Sequence, residues 1–144
     1  MSAQAQAPSF RIVEPLAPAV APPPPSVPRD ALAGGAAVLE RLRAAARRVR
    51  CERQMSLRDA EGLVACPGAA AGGAELLVRV LAEVLGRRPV FHAPGSALAS
   101  FDEAWLCRCR TAQAEGDADT LALLTGRRVH PANRRAFLDV LRSV

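Results

Sequence analysis

Residues 100–110 read SFDEAWLCRCR, and this stretch decides the fold. Its second half, Cys107-Arg108-Cys109, is a C-x-C in a chain with four cysteines and two histidines, which raises a metal half-site or a redox pair. Its first half points elsewhere. Ser100 followed by Glu103 is a capping box: the hydroxyl accepts from the Glu103 amide while the carboxylate answers the Ser100 amide. A helix therefore begins here and is expected to run to about Ala114, with Gly116 as its stop. On a helix, side chains two positions apart diverge by about 200°, so Cys107 and Cys109 cannot hold one ion. Phe101, Trp105, Cys109 and Ala112, at steps of four, four and three, are the expected core face. Cys107 falls on another face, open to solvent or turned toward a neighbouring helix. Structural zinc takes C-x₂₋₄-C knuckles, whereas Cys51 and Cys66 stand far apart and no C-x-x-C occurs. No metal and no cofactor are expected, and the cysteines read as small buried hydrophobes.

Outward from this helix the chain repeats the same grammar. Asp30 can open a helix running to about Gln54, although Gly34 and Gly35 move its start toward Ala36. Leu32, Ala36, Leu39, Leu42 or Arg43, Ala46 and Val49 recur along it at three- and four-residue steps. Ser56 with Asp59 marks a second helix, Leu57 to Ala65, ended by Pro67 and Gly68. A third, Ala74 to Leu85, turns Leu77, Val80, Leu81 and Val84 inward and stops at Gly86. Pro89 and Pro94 interrupt the next stretch, leaving Val90-Phe91-His92 as a short extended segment. Asp117 caps a fifth helix through Leu124, stopped by Gly126, and Pro131 opens a last one through Leu141. With one isoleucine, no tyrosine and abundant alanine and leucine, strands have little to be built from.

The N-terminus differs. Residues 1–30 hold Pro8, Pro15, Pro18, Pro22, Pro23, Pro24, Pro25 and Pro28, eight of the twelve prolines. Such density removes donors and fixes the backbone, so a disordered arm is expected, with Phe10 to Val13 as a short apolar break. Pro22–Pro25 and Pro25–Pro28, beside Arg29, supply P-x-x-P spacing. The expected fold is all-α: a small orthogonal or irregular bundle of about five or six short helices, residues 31–144, behind a disordered proline- and alanine-rich arm, residues 1–30. The start lacks a basic region followed by an apolar stretch, and Glu75, Arg79 and Glu83 interrupt the most apolar segment. A reducing cytoplasm and no membrane are the expectation.

Charge carries the functional reading. Nineteen basic residues against fourteen acidic give +5, and every basic residue is arginine. Guanidinium forks suit carboxylates and phosphates. The first helix carries Arg41, Arg43, Arg47, Arg48, Arg50 and Arg53 against Glu40 and Glu52, with Arg43, Arg47 and Arg50 on one ridge. A second cluster is Arg127, Arg128, His130, Arg134 and Arg135. The candidate anion- or partner-binding residues are thus Arg43, Arg47, Arg50, Arg127, Arg128, Arg134 and Arg135. The competing account is a solvated face whose long stems cover apolar surface.

Catalytic patterns are thin. The glycine pairs lack G-x-x-x-x-G-K and there is no lysine to reach a phosphate. Ser96 and Ser100 near His92 lack the G-x-S-x-G frame. Asp102/Glu103 and Asp117/Asp119 read as helix-start carboxylates serving amides and the dipole. No catalytic residue is assigned. The sequence favours a non-enzymatic helical interaction or regulatory protein binding an acidic protein surface. A second class is an accessory nucleic-acid binder using the arginines, by phosphate contact rather than helix-turn-helix readout, since Ala132 and Arg135 stand where inward apolar positions belong. A third is an enzyme, which would need His92, His130, a serine or cysteine and a carboxylate gathered in one pocket.

Overall fold

The structure, a computed structural model, describes residues 26–32, 34–52, 54–66 and 72–144; of the Cys51 side chain nothing is described. The proline tract and the Phe10–Val13 segment lie outside these residues, as does the Pro67-Gly68 turn. Six α-helices are present among the described residues: α1 (Ala36–Arg48), α2 (Leu57–Ala65), α3 (Gly73–Leu85), α4 (Phe101–Glu115), α5 (Ala118–Gly126) and α6 (Arg134–Arg142). The all-α bundle of short helices is what the sequence implies.

Most boundaries follow from capping chemistry. Ser56 accepts from the Asp59 amide at α2, and Asp117 accepts from the Thr120 amide at α5. The Ser100–Glu103 capping box is complete in both directions. Gly116 ends α4 at φ 72°, a left-handed conformation in which a Cβ would be strained. The first helix is shorter than expected: it begins at Ala36 and tightens into a 3-10 turn over Val49–Cys51. Pro131 opens a 3-10 turn, Pro131–Asn133, and α6 comes directly after it.

The element that composition does not announce is a pair of three-residue strands. β1 (Ser26–Pro28) runs antiparallel to β2 (Leu98–Ser100), with Val27 opposite Ala99. The end of the proline-rich stretch is therefore laid beside the entrance of α4. Val90 to His92, expected to be extended, forms no strand; the Val90 and His92 amides are held instead by the carboxylates of Asp102 and Glu103.

α4 is the central helix. Asp102 through Cys107, Cys109 and Ala112 are all buried, and over the first two turns Phe101 and Arg108 are the exposed positions. It packs on α5, α1 and α6, while α3 sits against α1, α2 and α6. The core gathers Leu76, Leu77, Val80 and Leu81 of α3 with Phe137, Val140 and Leu141 of α6 around Trp105 and Leu106. Trp105 stacks on Phe137 with ring centroids 5.5 Å apart, and its indole N–H donates to the Leu124 carbonyl at 3.0 Å. Such a ring pair contributes about 0.5–1.5 kcal/mol beyond its buried area.

One expectation for α4 needs correction, and the two alternatives left for Cys107 resolve toward a neighbouring helix. Phe101 is not core: it is 50% exposed, because it is the first residue of the helix and the Arg128 guanidinium rather than the interior covers its ring, 5.0 Å from the centroid. Cys107 is buried with Leu32, Leu39, Ala99 and Ala104 in a second, smaller cluster, where α1 begins against it. Gly35 makes that approach feasible, since a Cβ there would lie 3.2 Å from the Cys107 Cβ.

Candidate anion-binding groove

The first turn of α4 presents two adjacent carboxylates to the interior, and each collects four hydrogen bonds. Glu103, 0% exposed, accepts from Arg43 Nε at 2.8 Å, Arg43 Nη2 at 3.1 Å, the Ser100 amide at 2.8 Å and the His92 amide at 3.0 Å. Asp102 accepts from both terminal nitrogens of Arg87, at 2.9 and 2.6 Å, from Arg128 Nη2 at 2.6 Å and from the Val90 amide at 2.9 Å. Burial alone would raise the Asp102 pKa, but the bonds from Arg87, Arg128 and Val90 outweigh it and hold the carboxyl below its ordinary value.

Arg43 is the other half of this network. An arginine has five N–H donors, and here they make five bonds. Besides Glu103 they reach Glu40 at 3.0 Å and the carbonyls of Ser96 at 3.0 Å and Leu98 at 2.6 Å. The consequence is local architecture. Backbone groups of Val90, His92, Ser96 and Leu98 are all tied to α1 or α4, and Glu40 adds the Gly95 amide at 3.0 Å. A connection with two prolines and no regular structure before β2 is thereby fixed against the end of α1.

Fixing that connection creates a groove of two adjoining hollows. One, about 250 Å³, is lined by Arg50, Glu52, Arg79, Arg88, Val78, Pro89 and Phe91 among others. The next, about 290 Å³, is lined by Arg43, Ala46, Arg47, Arg50, Phe91, His92, Ala93 and Pro94. Ala46, Arg50 and Phe91 belong to both. Glu52 is the acidic residue of the first hollow and is ion-paired to Arg79. Arg47, Arg50 and Arg88 are exposed and have no ion pair among the described residues. His92 Nε2 is buried and lacks a hydrogen-bond partner there.

The structure separates the sequence candidates. Arg43 is 1% exposed and saturated, so it is not on a solvent-facing ridge with Arg47 and Arg50; the acids that claim it include Glu103, distant in sequence, as well as Glu40 on its own helix. Arg128 is half-buried, bonded to Asp102, and lies over the Trp105 ring at 4.7 Å as well as over Phe101. Arg134 turns back to the carbonyls of Val129 at 3.1 Å and Gly126 at 3.2 Å. Arg127 and Arg135 are exposed. The second cluster is thus divided between internal fasteners and surface charges. Arg88, missed in the sequence, joins the first cluster only because the connection after α3 folds back on α1. α6 buries Phe137, Val140 and Leu141, so it serves the core.

Chemistry of other kinds finds less. The hollow at His92 has no serine, cysteine or carboxylate in its lining, while His130 caps the turn at Pro131, accepting from the Ala132 amide. Groups of three or more His, Cys, Asp or Glu side chains able to hold a metal are absent among the described residues. Burial pushes the Cys107 thiol up to about 11, with the Glu103 charge adding to it, and pushes Cys109 up to about 12. These are not nucleophiles at neutral pH. No described helix is long and apolar enough to cross a membrane. Ion pairs and unpaired arginines make the described surface one that interacts through charge. Searches against family models, curated proteins and solved structures find no match.

Proposed function

We propose that this protein is a non-enzymatic helical interaction or regulatory protein that docks an acidic segment of a protein partner in the groove between α1 and the connection after α3. The observation that carries this reading is the grouping of Arg47, Arg50 and Arg88 around two adjoining hollows with no described carboxylate paired to them. Arg43, Arg87 and Arg128 are consumed by Asp102 and Glu103; Arg47, Arg50 and Arg88 are not.

A protein segment suits the groove better than a nucleic-acid backbone. Each hollow has room for one or two side chains, and apolar Val78, Pro89, Phe91 and Pro94 stand among the guanidiniums. Around it Glu40, Glu52 and Glu75 each pair with an arginine, which breaks any continuous basic track for phosphates. Guanidiniums against apolar walls favour carboxylates that bring a hydrophobic neighbour with them. A reducing, cytoplasmic setting fits the free thiols of Cys66, Cys107 and Cys109.

The test is titration of the full chain with a capped glutamate- and leucine-containing peptide, with a neutral glutamine counterpart, and with single-stranded and duplex DNA of random sequence. The expected result is salt-sensitive binding of the acidic peptide, lost in Arg47→Glu/Arg50→Glu. Tighter binding of DNA than of the peptide, with the same charge reversal abolishing it, would replace this reading with a nucleic-acid one.

A further inference from the structure

We infer that the hollow lined by Arg47, Arg50 and His92 is a phosphoryl pocket, taking a phosphorylated side chain of the docked segment. This rests on the docking of an acidic segment and names the chemistry of one half of the groove. The two hollows differ in a way that matters. The outer one contains Glu52, which meets Arg79 and repels a dianion. The hollow at His92 contains no carboxylate. The nearby acids Glu40 and Glu103 are both engaged by Arg43, whose five donors are spent on them and on two carbonyls.

What remains free in this hollow is donor capacity. Arg47 and Arg50, three residues apart across the end of α1 and the adjoining turn, offer two guanidinium forks from one side. Across from α1 stands His92, whose main-chain amide is anchored to Glu103 and whose Nε2 has no described partner. A carboxylate brings two acceptor oxygens and a single negative charge. A phosphoryl group carries three acceptor oxygens and close to two negative charges at neutral pH, which matches two forks and an imidazole N–H. Ala46, Phe91 and Pro94 wall the hollow with apolar surface, where charge-assisted bonds are less screened than on open surface.

The experiment compares three capped peptides with identical acidic flanks and phosphoserine, glutamate or serine at the centre, together with inorganic phosphate, by calorimetric titration of the full chain. The phosphoserine peptide is expected to bind about tenfold tighter than the glutamate peptide. His92→Phe should erase most of that gain, and Arg47→Gln/Arg50→Gln should erase it entirely. Because His92 is half-buried, a second readout uses the unmodified chain: the imidazole Nε2 resonance should shift with the phosphoserine peptide and stay put with the serine peptide. Equal affinity for phosphoserine and glutamate, or an unmoved imidazole, overturns the phosphoryl pocket while the docking reading stands. Inorganic phosphate binding as tightly as the phosphopeptide also overturns it, reducing the pocket to a site for a free anion. Binding of none of the peptides removes the docking reading and the pocket together.

Discussion

Arg43 and Arg47 lie one turn apart on the same helix, with the same side chain, and do opposite things. Arg43 points where α4 delivers Glu103 and where β2 and its approach deliver the Ser96 and Leu98 carbonyls, so all its donors are spent internally. Arg47 points past that junction and keeps its charge for the solvent. The difference teaches that a count of arginines says little about binding; what matters is which of them the fold has already matched to acids. It also shows that the two roles are linked. The saturated arginine holds the connection that forms the far wall for the free one.

The sharpest way to break this contrast is Arg43→Met. It leaves Glu103 charged and buried without its guanidinium, a change expected to cost about 3–5 kcal/mol in urea unfolding. It should also abolish peptide docking, although Arg43 has no donor left for a ligand. Full retention of stability would mean that the network is ornamental. Asp102→Asn tests the neighbouring carboxylate, with an expected cost of about 1.5–3 kcal/mol at neutral pH. Here the pH dependence has a defined sign. The folded carboxyl titrates below its ordinary value of about 3.9, so its contribution is present above that pH and is lost as pH falls through the lowered folded value. Unfolding curves at pH 7 and pH 3 should therefore differ less in the Asn variant than in the parent.

Arg47→Met, the counterpart of Arg43→Met, should change stability by no more than about 0.5 kcal/mol while weakening docking of the acidic peptide. A large loss of stability would show that Arg47 has an internal partner. The smallest expected effect concerns the thiols. With brief iodoacetamide treatment of native protein and mass mapping, Cys66 should be modified, while Cys107 and Cys109 should stay intact until denaturant is added. Rapid native labelling of Cys107 would mean that the seam between α1 and α4 opens.

The helices were legible because their signals are local. Ser100 with Glu103, Ser56 with Asp59, Asp117, Gly86 and Gly116 each act within one turn of the backbone they cap, and spacing alone reveals them. The β1–β2 pair was not legible: Ser26-Val27-Pro28 has no strand pattern and acquires one by meeting Leu98–Ser100. Phe101 fits the helical period of the core and is nevertheless half-exposed, since periodicity gives a face and not the distance to the next element. At the groove, Arg47 and Arg50 were visible as neighbours on one helix, but Arg88 and His92 join them only through long-range contacts.

By itself, then, the sequence determined the all-α class, the helix limits to within a turn or so at most ends, and the geometric separation of Cys107 from Cys109, because backbone capping and the helical repeat are short-range. The tertiary structure decided which charges are spent and which are free. Glu103 reaches Arg43 across sixty residues, and Asp102 gathers Arg87 and Arg128 from opposite sides of it in the chain. Pairing of buried charges depends on where the folded elements place them, a quantity no local pattern encodes.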